Sequence, residues 1–201
     1  MNDKKIGPKY LSRANKGVER LISIVKDLDL ISKLEAADLS LNKQPFNIVE
    51  LIQDVFELLE MKAKKRNISL RFSKPYPYPI MVIGDVEKIE QVVTNLLVNS
   101  IKYGKIDGAT SVTIKKHKKN KIIIKILDNG EGIKKEHQAR LFERFYRVDQ
   151  SRSREQGGSG LGLSIVKHII EAHDQKIFLK SEYQKGSEFS FTLEKLEKAQ
   201  I

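Results

Sequence analysis

Hydrophobic residues recur at three- and four-residue intervals in several stretches of the chain, which predicts amphipathic helices. The longest stretch covers residues 10–37, where the apolar positions follow nearly a heptad repeat and charged residues fill most other positions. Three more helices are predicted near 47–65, 85–103 and 161–173, with a short one near 134–140. Asn47 and Asp85 each precede one of these helices and are predicted N-caps.

A two-residue alternation of apolar and polar positions predicts strands. It occurs at 68–72, and further strands are predicted at 80–83, 111–115, 122–127, 176–181 and 188–193. Because several of these stretches adjoin as hairpins, a mixed α/β sandwich is favoured over a doubly wound parallel sheet. Residues 36–45 lack either period and are predicted to be a linker.

Composition narrows the functional classes but does not choose among them. The 201 residues include no cysteine, which excludes disulfides and thiolate metal sites. No apolar run approaches the roughly 20 residues of a membrane-spanning helix. The net charge of +11 is scattered except for a basic run at 115–121, which we predict to be a solvated hairpin tip. Aromatic residues do not interleave with these lysines, so nucleic-acid binding is not predicted.

The glycine-rich segment Gly158-Ser159-Gly160-Leu161-Gly162 leads directly into a predicted helix. Free N–H groups at a helix N-terminus favour an anion such as a triphosphate. The P-loop pattern is absent, the dinucleotide fingerprint fails at Leu163, and the signatures of Ser/Thr/Tyr kinases are missing. The segment therefore indicates phosphate binding of another kind.

Asn95 and Asn99 stand four residues apart on a predicted helix, so their carboxamides share one face. Amide oxygens can help to hold Mg²⁺, Lys102 could neutralise a phosphate, and Tyr103 could pack against a base. The same residues would also suit the polar face of an ordinary amphipathic helix, and the pair alone leaves both interpretations open.

Five ordered motifs resemble those of sensor histidine kinases. Residues 95–103 are similar to the N box, 128–133 to the G1 box, 141–147 to the F box and 158–163 to the G2 box. Residues 186–189 match the short Gly-x-x-Phe element near the end of the domain.

The resemblance implies an α+β protein with the Bergerat ATP-binding fold: a two-layer α/β sandwich whose mixed sheet packs on three helices. One long bundle helix precedes it. The implied domains are the second helix of a dimerisation and phosphotransfer bundle at 1–38, a linker at 39–45, the catalytic ATP-binding domain at 46–195 and a charged tail at 196–201.

The resemblance also implies a role for each matching residue. Asp128 would bond the adenine amino group, with Gly130 and Gly132 forming its turn. Asn95 and Asn99 would hold Mg²⁺, while Arg144 and Arg147 would lie near the terminal phosphates with Lys102. The remaining residues implied at the nucleotide are Tyr103, Ile133, Phe145, Gly158, Gly160, Leu161, Gly162 and Ser187.

Position 95 distinguishes a kinase from an ATPase. ATP-hydrolysing members of this fold typically carry Glu there as a general base, and Asn cannot accept that proton. We therefore expect ATP to serve as a phosphate donor to a protein histidine, for onward transfer to a response-regulator aspartate. The alternative is a stand-alone Bergerat-fold ATPase, serine kinase or regulatory ATP-binding module.

None of the four histidines lies in a motif like His-Glu-Leu-Arg-Thr-Pro, which carries the phosphoacceptor in this family. The sequence is therefore interpreted as a fragment that binds Mg-ATP but does not phosphorylate itself. The implied partners are a receiver domain and, through the bundle, a second copy of the full-length protein. The implied location is the cytoplasmic part of an inner-membrane receptor. We also expect the segment 148–158 to be mobile without nucleotide.

Overall fold

The computed structural model describes residues 6–36, 40–118, 120–148 and 159–197. Within these ranges lie five helices and seven strands. The helices are α1 (Ile6–Glu35), α2 (Ile48–Lys64), α3 (Val86–Tyr103), α4 (Lys135–Gln138) and α5 (Gly162–Ala172). The strands are β1 (Lys43–Asn47), β2 (Ser69–Phe72), β3 (Met81–Asp85), β4 (Ala109–Lys116), β5 (Lys121–Asp128), β6 (Ile177–Glu182) and β7 (Gly186–Lys195).

All seven strands belong to one mixed sheet in the order β1-β3-β7-β5-β4-β2, with β6 also paired to β7. The β4–β5 and β6–β7 neighbours are antiparallel hairpins, as the sequence predicted. The β2–β4 pair is parallel. The described residues of the basic run lie at the ends of β4 and β5 and between them, and the His117 N–H donates to the Lys121 carbonyl. That confirms the predicted hairpin tip.

Helices α2, α3 and α5 pack against the sheet around one hydrophobic core. Burial of branched aliphatic side chains from both layers supplies most of the driving force for this arrangement. The predicted two-layer sandwich on three helices is confirmed. Fully buried side chains from the two layers include Ile52, Ile89, Leu96, Ile124, Ile126, Ile165, Ile169 and Phe191.

Both predicted N-caps are present. The Asn47 side-chain oxygen accepts hydrogen bonds from the backbone N–H groups of Val49 and Ile80, so it joins α2 to the start of β3. Asp85 accepts from the N–H groups of Lys88 and Asn42 through its two different carboxylate oxygens. Each cap therefore satisfies a free N–H of a helix and also fixes a neighbouring segment.

Helix α1 lies against the sandwich only near its C-terminal end. Ile31 is completely buried, whereas Val25 and Leu21 remain exposed on the preceding turns. The packing partner of this end is α5. The described residues contain no helix that is both long and apolar enough to cross a bilayer.

Strand β1 (Lys43–Asn47) is a correction to the sequence analysis, which predicted a linker up to residue 45 and no strand here. The strand lies at the sheet edge and pairs with β3. An edge strand tolerates Pro45, and only its last two residues are partly buried, so no alternation marks it. Its conformation depends on a partner almost 40 residues away in sequence.

Candidate nucleotide-binding site

Helix α3 carries the two asparagines one turn apart, and both side chains are half-buried. The Asn95 amide nitrogen donates to the backbone carbonyl of Gly162 over 3.4 Å, at the start of α5. This contact leaves the Asn95 side-chain oxygen for a ligand. Within the described part of the chain, the Asn99 carboxamide makes no hydrogen bond.

The end of α3 is tied to the turn that follows β5. The Tyr103 carbonyl accepts from the Glu131 N–H over 3.3 Å, and the Lys102 ammonium lies 5.1 Å from the centre of the Tyr103 ring. Arg66 fixes the same helix end, because its guanidinium donates to the carbonyls of Lys102 and Gly104. Burial raises the pKa of Tyr103, and the nearby Arg147 opposes that rise.

Asp128 is the last residue of β5, and only 7% of it is exposed. One carboxylate oxygen, Oδ1, accepts from the Gly130 N–H at 2.9 Å and the Ser187 N–H at 3.3 Å. Burial raises the pKa of this carboxyl, and the two N–H groups partly offset that rise. Within the described part of the chain, the other oxygen, Oδ2, receives no hydrogen bond.

The turn after Asp128 packs closely against the β6–β7 hairpin and is hydrogen-bonded to it. Gly132 has a φ of +63°, and a Cβ there would collide with the Glu182 carbonyl. That combination admits only glycine. The Ile133 N–H donates to the Ser181 hydroxyl over 2.8 Å, which holds the end of the turn.

The start of α5 lies beside the predicted F box. Gly160 has a φ of +77°, and its carbonyl accepts from the Phe145 N–H over 3.1 Å. A Cβ on Gly160 would lie 2.9 Å from the Phe145 Cα, so the close approach of these two segments requires glycine. Leu161 is fully buried, and its N–H donates to the Ser159 hydroxyl. Residues 149–158, which include Gly158 and all but the first residue of the predicted mobile loop, lie outside the described residues.

The two F-box arginines have different surroundings. Arg144 forms an ion pair with Glu35 at the end of α1, and therefore faces the long helix. Arg147 lies close enough to Tyr103 to influence its pKa. The Nη2 nitrogen of Arg147 is buried and has no hydrogen-bond partner within the described part of the chain. A buried guanidinium nitrogen without an acceptor suits an anionic ligand.

Most of the predicted residues are brought together by these contacts. The middle of α3 meets the start of α5, the end of α3 meets the turn after β5, and that turn meets β6 and β7. Arg144 is the exception, since its described partner is on α1. Among the described residues, no cluster of three His, Cys, Asp or Glu side chains is placed to hold a metal ion.

Sequence reasoning missed three residues that position this site: Arg66, Gln138 and Ser181. Gln138 donates from one amide nitrogen to the carbonyls of Ile133 and Ser181. The partners of these three residues lie between 5 and 48 residues away in sequence, and most are more than 30 away, so no local pattern marks them. The half-buried inner position of Ser181 in β6 is the one weak signal for a polar role.

Comparison with known proteins places this geometry in a family. The sequence model of the histidine kinase-, DNA gyrase B- and HSP90-like ATPases matches residues 84–197. The sensor histidine kinase WalK of Bacillus subtilis is 33% identical over 192 residues, covering 95% of this chain and 31% of that protein. The chain thus spans less than half the length of the curated relatives it matches first.

Solved structures agree on the fold. Full-length ShkA, crystallised with AMPPNP, superposes with a TM-score of 0.82 at 24% identity over 95% of this chain and 40% of that one. The histidine kinase ThkA, crystallised with the response regulator TrrA, gives a TM-score of 0.74 at 28% identity over 98% of this chain and 53% of that one.

The matched region contains Asn95, Asp128 and the start of α5. The resemblance inferred from short motifs is therefore supported over most of the sandwich. This chain belongs to the family of histidine kinase-, DNA gyrase B- and HSP90-like ATPases, and its α/β sandwich is an ATP-binding domain of the sensor histidine kinase type.

Proposed function

We propose that this chain is the catalytic part of a two-component sensor histidine kinase, which binds Mg-ATP and donates its γ-phosphate to a histidine outside this sequence. The observation that carries the proposal is the Asp128 carboxylate. Two backbone N–H groups hold one of its oxygens, and the other oxygen is left to accept from a ligand. A buried carboxylate with one free acceptor suits the adenine amino group.

Apolar and aromatic residues suited to a planar base occur near the site. The Tyr103 carbonyl accepts from the turn after Asp128, Ile133 ends that turn, and Phe145 lies against Gly160 near the start of α5. Ser187 lies next to Asp128 through its backbone N–H. We assign these four residues to the base-binding part of the site.

The phosphate side of the site combines neutral side-chain amides with cationic side chains. The Asn95 oxygen and the unpaired Asn99 amide would hold Mg²⁺, which would neutralise charge on phosphate oxygens. The orphaned Nη2 of Arg147 would gain an acceptor from a phosphate, and Lys102 lies on the same helix end as Tyr103. The N–H groups at the start of α5, with Gly160, Leu161 and Gly162, would face the same charge.

Transfer is favoured over hydrolysis because Asn95 lacks the basicity to take a proton from water. Phosphoryl transfer needs mainly positioning and charge neutralisation, which the amides and Arg147 can provide. Within this chain the histidines are engaged elsewhere: His173 is buried, His137 contacts the Tyr146 hydroxyl, and His168 faces Glu35. His117 lies in the β4–β5 turn. These contacts support our proposal that the acceptor histidine lies outside this sequence.

The remaining partners follow from the relatives. ThkA was crystallised with a response regulator, and we extend such a partner to the whole protein that contains this chain. The exposed apolar side of α1, with Leu21 and Val25, would join a dimeric helical bundle in that protein. Attachment to a membrane belongs to the same proposal.

Isothermal titration of the chain with ATP and Mg²⁺ tests the nucleotide assignment. Asp128→Asn replaces the free acceptor by a group that can present N–H to the base, so affinity should fall at least about tenfold. Asp54→Asn makes the same charge change on an exposed turn of α2 and should bind as the wild type does. Equal affinity for Asp128→Asn and wild type would show the adenine assignment to be wrong.

Incubation with γ-labelled ATP tests the placement of the acceptor. The chain alone should acquire no acid-labile, base-stable label, because none of its four histidines lies in a phosphoacceptor motif. Labelled phosphohistidine on this chain would contradict that placement while leaving the nucleotide assignment intact. Rapid release of labelled phosphate would favour the ATPase alternative.

A further inference from the structure

Ser181 lies at the centre of a hydrogen-bond cluster that joins three segments of the site. Its hydroxyl accepts from the Ile133 N–H at 2.8 Å and lies 3.0 Å from the Gly186 carbonyl and 2.9 Å from the Ser187 hydroxyl. Ser181 therefore contacts the turn after Asp128 and the start of β7 together.

The directions of these bonds follow from counting hydrogens. A serine hydroxyl has one hydrogen and two lone pairs. The Gly186 carbonyl can only accept, so the Ser181 hydrogen points to it, and the Ile133 N–H occupies one lone pair. The contact that remains is made only if the Ser187 hydroxyl donates to Ser181. One arrangement thus uses every contact, and in it Ser187 keeps no hydrogen for a ligand.

The backbone of Ser181 is also held in place by hydrogen bonds. The Gln138 amide nitrogen donates to the Ser181 carbonyl at 3.0 Å and to the Ile133 carbonyl at 2.8 Å. These bonds link α4 to β6 and to the turn after β5. The position of the Ser181 hydroxyl is consequently set by the fold before any nucleotide arrives.

We propose that Ser181 is a positioning residue that determines base specificity. It orients the Ser187 hydroxyl so that this hydroxyl offers only an acceptor to the ligand. Together with Asp128, it then presents only acceptors to the 6-position of a bound purine. The inference rests on the proposed function and deepens it. The Ser187 backbone N–H donates to Oδ1 of Asp128, so the two residues are adjacent. In the proposed arrangement, Asp128 Oδ2 and Ser187 Oγ are the two acceptors that meet the base.

Two neighbouring acceptors discriminate between purines. The exocyclic amino group of adenine presents hydrogens to them, directly or through a bound water. Hypoxanthine and guanine carry a carbonyl oxygen at that position, so acceptor would face acceptor. A site whose polar groups are left unpaired by the wrong ligand rejects it strongly. The wild-type site should therefore prefer ATP to inosine triphosphate, which differs from ATP only in the 6-substituent and the N1 proton.

The ratio of ATP affinity to inosine triphosphate affinity, measured by titration with Mg²⁺ present, tests the inference. Ser181→Ala frees the Ser187 hydroxyl to turn its hydrogen towards a carbonyl. The ratio should fall by about fivefold to tenfold, with a smaller loss in ATP affinity itself. Ser181→Thr keeps a hydroxyl at the same place and should keep the wild-type ratio.

Ser190→Ala is the matched control, since Ser190 is a buried serine of β7 that makes no side-chain hydrogen bond within the described chain. It should leave the ratio unchanged. Ser187→Ala provides a second route if Ser181→Ala folds poorly. It should lower the ratio directly, and the double variant should lower it no further, because Ser181 acts through Ser187.

The outcomes separate the two proposals. If wild type binds ATP in preference to inosine triphosphate and both Ser181→Ala and Ser187→Ala keep that preference, the inference about Ser181 is wrong and the proposed function stands. Equal wild-type affinity for both nucleotides would also show that the inference about Ser181 is wrong, and it too would leave the proposed function standing. If wild type binds neither nucleotide, the proposed function is wrong and the inference fails with it.

Discussion

The Glu35 carboxylate at the end of α1 forms an ion pair with Arg144, and one of its oxygens also lies 3.4 Å from the His168 ring. The last turn of the long helix is thereby joined to the F-box segment and to α5. The hydrogen bond from Arg144 holds the pKa of Glu35 below its usual range, with His168 adding to the effect. A residue that the sequence assigned to phosphate binding thus connects the nucleotide-binding domain to the helix before it.

Glu35→Gln should loosen the end of α1 from the sandwich, because the amide removes the charge that attracts Arg144. Hydrogen exchange in the last turn of α1 should become faster, while the core of α3 stays protected. Thermal stability should fall only slightly, and the difference from wild type should shrink at high salt, because the Glu35–Arg144 pair is partly exposed.

Asp29→Asn is the control for the Glu35 experiment, because it removes the exposed pair with Lys33 on the same helix. It should leave exchange at the end of α1 almost unchanged. Equal exchange in Glu35→Gln and wild type would mean that the ion pair does not hold the helix.

Ile31→Ala tests whether α1 is packed as part of the domain core. The side chain is completely buried, so its truncation should lower the free energy of unfolding by about 2–5 kcal/mol. Ile22→Ala makes the same change at an exposed position of the same helix and should cost well under about 1 kcal/mol. Chemical denaturation measures both, and similar losses for the two variants would contradict the packing of Ile31.

Arg147→Gln should have opposite effects on stability and on binding. The buried Nη2 has no acceptor within the described chain, so removing the guanidinium should leave the ligand-free protein as stable as wild type or more so. Affinity for ATP should fall about tenfold, because a charge-assisted contact to phosphate is lost.

Arg140→Gln is a matched control for Arg147, since Arg140 is exposed and pairs with Glu143. Arg140→Gln should change neither the stability of the ligand-free protein nor its affinity for ATP appreciably. A marked loss of ligand-free stability in Arg147→Gln, with unchanged ATP affinity, would assign Arg147 a structural role instead.

His173 should make stability depend on pH. Its Nδ1–H donates to the Ile169 carbonyl, and its Nε2 accepts from the Asp85 N–H, so the ring is neutral in the folded protein. Burial lowers its pKa below the ordinary 6.5. Between the lowered value and 6.5 the unfolded chain binds more protons, so the free energy of unfolding should fall on acidification through that range.

Urea denaturation at pH values above and below this interval measures how much the free energy of unfolding depends on His173. His173→Gln should lower overall stability and remove this part of the pH dependence. His117→Gln, at an exposed position of the β4–β5 turn, should keep it. An unchanged pH dependence in His173→Gln would contradict the neutral buried ring.

Features that depend on neighbouring residues were predictable. The long apolar repeats of α2, α3 and α5 and both N-caps involve contacts within a few residues, and the structure confirms them. Strand β1 was missed because an edge strand of this composition carries no alternation, and only its pairing with β3 defines it. Ser181 was missed for a similar reason, since its partner Ile133 lies 48 residues away.

The sequence by itself determined the family, the order of the described elements other than β1, and the chemical types at the site. Short motifs such as 128–132 and 158–162 keep their residues adjacent, so the sequence shows them directly. Only the tertiary structure decided which way individual groups face. It placed Arg144 against Glu35, gave Oδ2 of Asp128 no hydrogen bond from the described residues and brought the Ser187 hydroxyl to Ser181. The physical reason is that hydrogen-bond direction and burial depend on atoms brought together from distant parts of the chain.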